Sequence, residues 1–80
     1  MHYVYILECK DKTLYVGYTN DLEKRLAEHN DSPRGARYTK SRRPVVMKYH
    51  ESFPSLSEAL SREYSLKQLT RVQKLDLIKK

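Results

Sequence analysis

The sequence predicts an α+β fold, a small three-stranded antiparallel sheet flanked by helices. Residues 2–9 and 14–19 are rich in Tyr, Val, Ile and Thr and are separated by a short polar turn, as a β-hairpin requires. Helix-start signals stand at Asn20, Ser55 and Thr70. A third β-rich run follows Pro44.

From His2 to Cys9, Tyr3, Tyr5 and Leu7 alternate with Val4 and Ile6, which sends the two sets to opposite faces of a strand. Lys10 to Thr13 forms the turn, and Leu14 to Thr19 returns. A hairpin folded about Asp11 sets Tyr5 opposite Gly17 and Leu7 opposite Tyr15, with both tyrosines on one face. Gly17, lacking a side chain, would leave room there for a phosphate or sugar to approach the sheet, or else mark a bulge.

Asn20 can cap the first helix, with Glu23 reaching back to the cap's own N–H, and the helix runs from Asp21 to about Asn30. Leu22 and Leu26 set its apolar stripe. With ~100° per residue, His29 falls about 20° and Arg25 about 60° from Leu22, whereas Lys24 and Glu28 are placed on the far side. An arginine turned toward the sheet needs an acidic partner, because burying its charge unpaired is costly. Asp31-Ser32-Pro33 breaks the helix, and Gly35 to Ser41 is either one short helical turn or a loop.

Val45 to His50 forms the third strand, an edge strand opened by Pro44. Ser52-Phe53-Pro54 is a further break, after which Ser55-Leu56-Ser57-Glu58 has capping-box spacing and starts the longest helix, to about Leu69. Its stripe is Leu56, Ala59 and Leu60, with Glu63 and Lys67 each about 20° from Leu56. That placement is met either by a functional acid or by an i,i+4 Glu63–Lys67 salt bridge. Thr70 to Gln73 repeats the box before a last amphipathic helix whose Val72, Leu75 and Ile78 cover the sheet.

Eighty residues make one domain, 1–80, that buries somewhat over ~60% of its unfolded surface. No apolar run approaches the ~20 residues of a membrane span and no basic-then-apolar leader is present, so a cytoplasmic location is expected. A single cysteine, Cys9, excludes an intrachain disulfide and a multi-cysteine zinc site, and reads as a small packed residue. The formal charge of +6 favours a polyanionic partner. Arg34, Arg37, Lys40, Arg42, Arg43 and Lys48 concentrate it, with Tyr38 interleaved, and are candidate nucleic-acid contacts, as is Lys67.

Tyr3-Val4-Tyr5, then Tyr15-Val16-Gly17, then Arg25 and His29, with Glu63 further on, resemble the GIY-YIG nuclease domain over nearly the whole chain. The chain is similar to the small stand-alone bacterial proteins of the YhbQ/YazA type. Its Gly-Tyr-Thr and Glu-His-Asn segments are also similar to those of the structure-selective nuclease subunit that cuts branched DNA. The resemblance implies an endonuclease acting on DNA in a repair or recombination setting, with a divalent metal. It also implies that a tyrosine of the two tripeptides activates water and that the glutamate holds the metal. Tyr5 and Tyr15 are therefore the candidate base and positioning group, in either order. Tyr3 replaces the family's first glycine, and no Asn follows the glutamate helix, where many relatives have one.

The chemistry of the side chains fits these roles. Glu63 offers the hard oxygen that Mg²⁺ or Mn²⁺ takes, one carboxylate implying a single metal site. Arg25 has a planar fork matched to phosphate oxygens and keeps its charge at any working pH. His29 can shuttle a proton or hydrogen-bond a tyrosine. The alternative is a non-catalytic nucleic-acid-binding module on the same scaffold, and a third possibility is a nuclease subunit whose specificity comes from a protein partner.

Overall fold

A computed structural model of the chain describes residues 1–31 and 37–79, without the side chain of Arg37. The expectations placed on Pro33, Arg34, Gly35 and the Arg37 side chain lie outside the described residues. Strands β1 (His2–Glu8), β2 (Leu14–Thr19) and β3 (Val46–Phe53) make one antiparallel sheet in the order β2-β1-β3. Helices α1 (Leu22–Asp31), α2 (Arg37–Lys40), α3 (Leu56–Lys67) and α4 (Arg71–Lys79) flank it.

The hairpin closes as its sequence requires, pairing Tyr5 with Gly17 and Leu7 with Tyr15. Asp11 holds the turn: its carboxylate accepts the Thr13 N–H at 3.1 Å and the Thr13 hydroxyl at 2.6 Å. Lys12, at φ 72°, carries the left-handed residue of the turn.

Alternation along β1 builds two cores. Val4, Ile6 and Val16 pack with Ala59 and Leu66 of α3, and with Tyr49, Phe53, Leu77 and Ile78 around them. Tyr5, Leu7, Cys9 and Val45 pack on the other face with Tyr15, Leu22, Leu26 and Met47. Strand β3 serves both. Ile6 pairs with Tyr49 but Leu7 with Met47, so Lys48 is an extra residue, a β-bulge. Without it Met47 and Tyr49 would face the same way; with it they enter opposite cores.

Three helices and one strand depart from the sequence reading. The cap of α1 is Asp21, whose carboxylate accepts the Lys24 N–H at 3.1 Å, while Thr19 Oγ1 accepts the Asp21 N–H at 3.1 Å. Asn20 is displaced because a carboxylate one residue later also meets the helix dipole. Strand β3 runs on to Phe53, held by an ion pair in which Arg62 of α3 donates twice to Glu51, at 2.9 and 3.1 Å. Tyr49 donates its hydroxyl to the same carboxylate.

On α3 the face that meets the sheet carries Ala59 and Leu66, both fully buried, whereas Leu56 and Leu60 remain 43% and 39% exposed. Ala59 has no bulk to hold the helix away. The caps themselves stand: Ser55 accepts the Glu58 N–H, and Thr70 and Gln73 bond each other's backbone N–H at 2.9 and 3.2 Å. On α4 the covering residues are Leu77 and Ile78, and Val72 is 69% exposed.

Candidate active site

The second face of the sheet gathers four of the five candidate side chains. Tyr5 comes from β1, Tyr15 from β2, and Arg25 and His29 from α1. His29 is buried because it follows the Leu22/Leu26 stripe, and both ring nitrogens find partners. Nε2 is hydrogen-bonded to the Tyr5 hydroxyl at 2.8 Å and Nδ1 to Thr39 Oγ1 at 2.9 Å. Tyr15 meets the imidazole edge-on, with centroids 5.3 Å apart, and its other face stacks on Tyr38 at 5.7 Å.

Gly17 sits directly under this group. A β-carbon there would fall 2.5 Å from the Tyr5 hydroxyl oxygen and 2.7 Å from its ring carbon Cζ. The glycine marks no bulge, and the space it leaves is filled by the Tyr5 phenol rather than kept open for a phosphate.

Burial pushes the Tyr5 pKa up to about 12, against the hydrogen bond and charge of Arg25, which pull it down; the charges of Tyr15 and Glu63 add to the rise. Burial also drives His29 down to about 4, reinforced by the positive charges of Arg25 and Arg43 and opposed by Glu28. The phenol and the imidazole are thus both neutral near pH 7.

Arg25 finds the acidic partner that its burial demands. The partner is Glu28, 3.1 Å away at i,i+3, so Glu28 does not face water as the helical projection placed it. Burial opposes the Arg25 charge, but hydrogen bonds to Glu28 and Tyr5 outweigh it and raise the pKa. Beside Arg25 opens a cleft of about 480 Å³, lined also by His2, Tyr18, Thr19, Asn20 and Leu56.

Glu63 approaches from α3. Its side chain is only 17% exposed, and its charge is felt by the Tyr5 phenol. Lys67, with its side chain 52% exposed, reaches back to Glu63 at 3.5 Å, so the inward acid and the i,i+4 ion pair coexist. Among the described residues no group of three or more His, Cys, Asp and Glu side chains is placed to hold a metal.

The basic segment divides. Lys40 and Lys48 are exposed. Arg42 pairs with Asp11 at 3.0 Å, donates to the Tyr38 carbonyl at 2.8 Å and lies 4.1 Å over the Tyr38 ring. Arg43 donates to the last-turn carbonyls of α1, His29 at 2.5 Å and Glu28 at 3.3 Å. Both guanidiniums are spent on the fold. Asn30 does likewise, exchanging hydrogen bonds with the backbone of Val45 at 2.7 and 3.1 Å.

Sequence reasoning missed Thr39, which lay in the stretch that read equally as turn or loop. The one signal that points to it is the need of a buried histidine for two hydrogen-bond partners.

The GIY-YIG catalytic domain model matches residues 1–76. A UPF0213 protein of Staphylococcus haemolyticus is 57% identical over 96% of this chain and 93% of its own length. One of Halobacterium salinarum is 55% identical over 92% and 95%. Among solved structures, the solution NMR structure of a UPF0213 protein from Bacillus halodurans matches with a TM-score of 0.62 and 46% identity, covering 98% of this chain and 82% of that one. An E. faecalis protein matches at 0.66 and 48%, with the same coverage. No helix among the described residues is long and apolar enough to cross a membrane. The family match runs through the same strands and helix that bring Tyr5, Tyr15 and Arg25 together, and on that ground the chain belongs to the GIY-YIG family.

Proposed function

We propose that this chain is a cytoplasmic, metal-dependent endonuclease that hydrolyses phosphodiester bonds in DNA, acting at branched or single-stranded structures. The observation that carries this reading is the Tyr5 hydroxyl set between the Arg25 guanidinium and His29 Nε2, within electrostatic reach of Glu63.

The donor set fits a particular kind of cation. One shielded carboxylate cannot cage an ion, but it suits Mg²⁺ or Mn²⁺, which retain most of their waters when held by one or two carboxylates. Glu63 would hold it, exchanging Lys67 for the metal. When bound, such a cation supplies charge neutralisation at the phosphate and at the leaving 3′ oxygen.

The chain's own residues do the rest. Arg25 turns its fork from Glu28 toward two phosphate oxygens and stabilises the charge that builds there. Tyr5 takes a proton from the attacking water as its own phenolic proton passes to His29 Nε2; the water oxygen bonds to phosphorus and the bond to the leaving oxygen breaks. Burial holds both the phenol, near 12, and the imidazole, near 4, in their neutral forms, so the phenolic proton moves as the attacking water supplies another rather than ahead of it. Tyr5 has a proton acceptor already in place, which favours it over Tyr15 as the base. Tyr15, edge-on to His29, holds the ring in position.

Labelled duplex, flap, junction and single-stranded DNAs incubated with the purified protein and Mg²⁺ or Mn²⁺ test this reading. Cleavage that disappears in Glu63→Gln and Tyr5→Phe supports it; cleavage equal in wild type and variants rejects it. A second reading, a binding module without turnover, draws on the Lys67 that neutralises Glu63 and on the absence of any Asn after Asn30. Salt-sensitive binding that survives Glu63→Gln, with no cleavage of any substrate, would favour it. A partner protein supplying specificity is tested by co-purification from the native host.

A further inference from the structure

Thr39 is completely buried, on a four-residue helix, and is joined to Tyr5 by hydrogen bonds through both nitrogens of His29. A neutral imidazole donates from one nitrogen and accepts at the other, so whatever fixes one end fixes the other. The Arg25 guanidinium can only donate, and it lies against the Tyr5 oxygen. The phenolic hydrogen therefore needs an acceptor, and His29 Nε2, at 2.8 Å, provides it. That assignment leaves the ring hydrogen on Nδ1, donated to Thr39 Oγ1 at 2.9 Å.

We propose that Thr39 is a positioning residue: by accepting the Nδ1–H it holds His29 in the tautomer whose Nε2 lone pair faces the Tyr5 hydroxyl. Mechanistically this rests on the nuclease reading, in which Nε2 takes the phenolic proton while Tyr5 takes one from water. The proton count closes without further groups, one proton moving from water to Tyr5 oxygen and one from Tyr5 to Nε2. Helix α2 thereby acts on both tyrosines through adjacent residues, Thr39 by way of His29 and Tyr38 by stacking on Tyr15. Among the described residues, the other groups around the ring are Tyr5 and Tyr15 from the sheet, Arg25 and Glu28 from α1, and Arg43 before β3. Arg43 bonds the His29 carbonyl rather than the ring, so it leaves Nδ1 to Thr39.

The test compares Thr39→Val, which keeps the shape and removes the hydroxyl, with Thr39→Ser, which keeps the hydroxyl. Long-range proton–nitrogen spectra of ¹⁵N-histidine-labelled protein at pH 7.5 read the tautomer directly, without any cleavage. The wild type and Thr39→Ser are expected to carry the hydrogen on Nδ1, and Thr39→Val to shift population toward Nε2–H. In parallel, kcat is expected to fall on the order of tenfold or more in Thr39→Val, with KM unchanged and Thr39→Ser close to wild type. An unchanged tautomer in folded Thr39→Val overturns the inference, and so does a Thr39→Ser variant as impaired as Thr39→Val, which would mean packing alone. A tautomer shift in a protein that cleaves no DNA at all would reject the nuclease reading while upholding the control of His29 by Thr39.

Discussion

The Tyr5 phenol lies across the α-carbon of Gly17, so close that a single added methyl group would meet the hydroxyl oxygen at 2.5 Å. Gly17 has an ordinary negative φ, so space and not backbone freedom makes it necessary. Gly17→Ala should cost about 1–3 kcal/mol in urea unfolding, as overpacking of a filled core does, and should abolish cleavage by displacing Tyr5 from His29. Adding Tyr5→Phe should recover only part of the stability, because the ring carbon Cζ is still within 2.7 Å. Full recovery in the double variant would show that the hydroxyl alone fills the space.

His29 makes the protein sensitive to mild acid. Its folded pKa, about 4, lies below the ordinary value of 6.5, so the unfolded chain binds the proton first. Stability is fully present above pH 6.5 and is lost as the pH falls toward 4, by on the order of 3 kcal/mol. Urea midpoints at pH 7.5 and 5 should differ, and His29→Gln should flatten the difference. Glu51 and Asp11 have lowered pKa values and lose their contributions further down the scale, which keeps the upper part of the window for His29. An equal slope in wild type and variant would refute the assignment.

Glu63 and Lys67 can be separated by metal titration. Glu63→Gln should leave folding intact while removing metal-dependent cleavage. Lys67→Ala removes the ammonium that competes for the carboxylate. Surface i,i+4 helix pairs are worth about 0.3–0.5 kcal/mol and this one has a shielded acid, so the Mg²⁺ concentration for half-maximal cleavage should fall about twofold or more. A rise in that concentration would instead make Lys67 a phosphate contact.

The basic segment should respond in two ways. Lys40→Ala and Lys48→Ala should weaken DNA binding uniformly across sequences, each lowering the slope of log affinity against log salt by about one. Arg42→Ala and Arg43→Ala should lower the melting temperature, because those guanidiniums hold Tyr38, Asp11 and the end of α1. A pure binding effect for Arg42 would contradict its place in the fold.

The hairpin, its register and the tyrosine pair were legible because strand periodicity and turn chemistry are local. So were the caps at Ser55 and Thr70. What the sequence concealed depends on what packs against what. Leu56 and Leu60 look like a core stripe until Ala59 lets the sheet approach one flank of α3 and leaves the other in water. Glu28 projects away from Leu22 on a helical wheel, yet it bends to Arg25 because a half-buried guanidinium pulls its nearest carboxylate. Arg42 and Arg43 read as a basic patch, since composition counts charges without saying which are already engaged. Thr39 gave no signal of its own, being one hydroxyl in a segment without periodicity.

Because β3 sends Met47 to one side of the sheet and Tyr49 to the other, neither apolar layer owns the strand. Peeling it away strips both at once, so loss of this strand is expected to open the tyrosine side and the α3 side together. Removing Lys48, a solvent-facing residue whose own side chain supports neither layer, should therefore unravel the molecule more thoroughly than emptying one buried position.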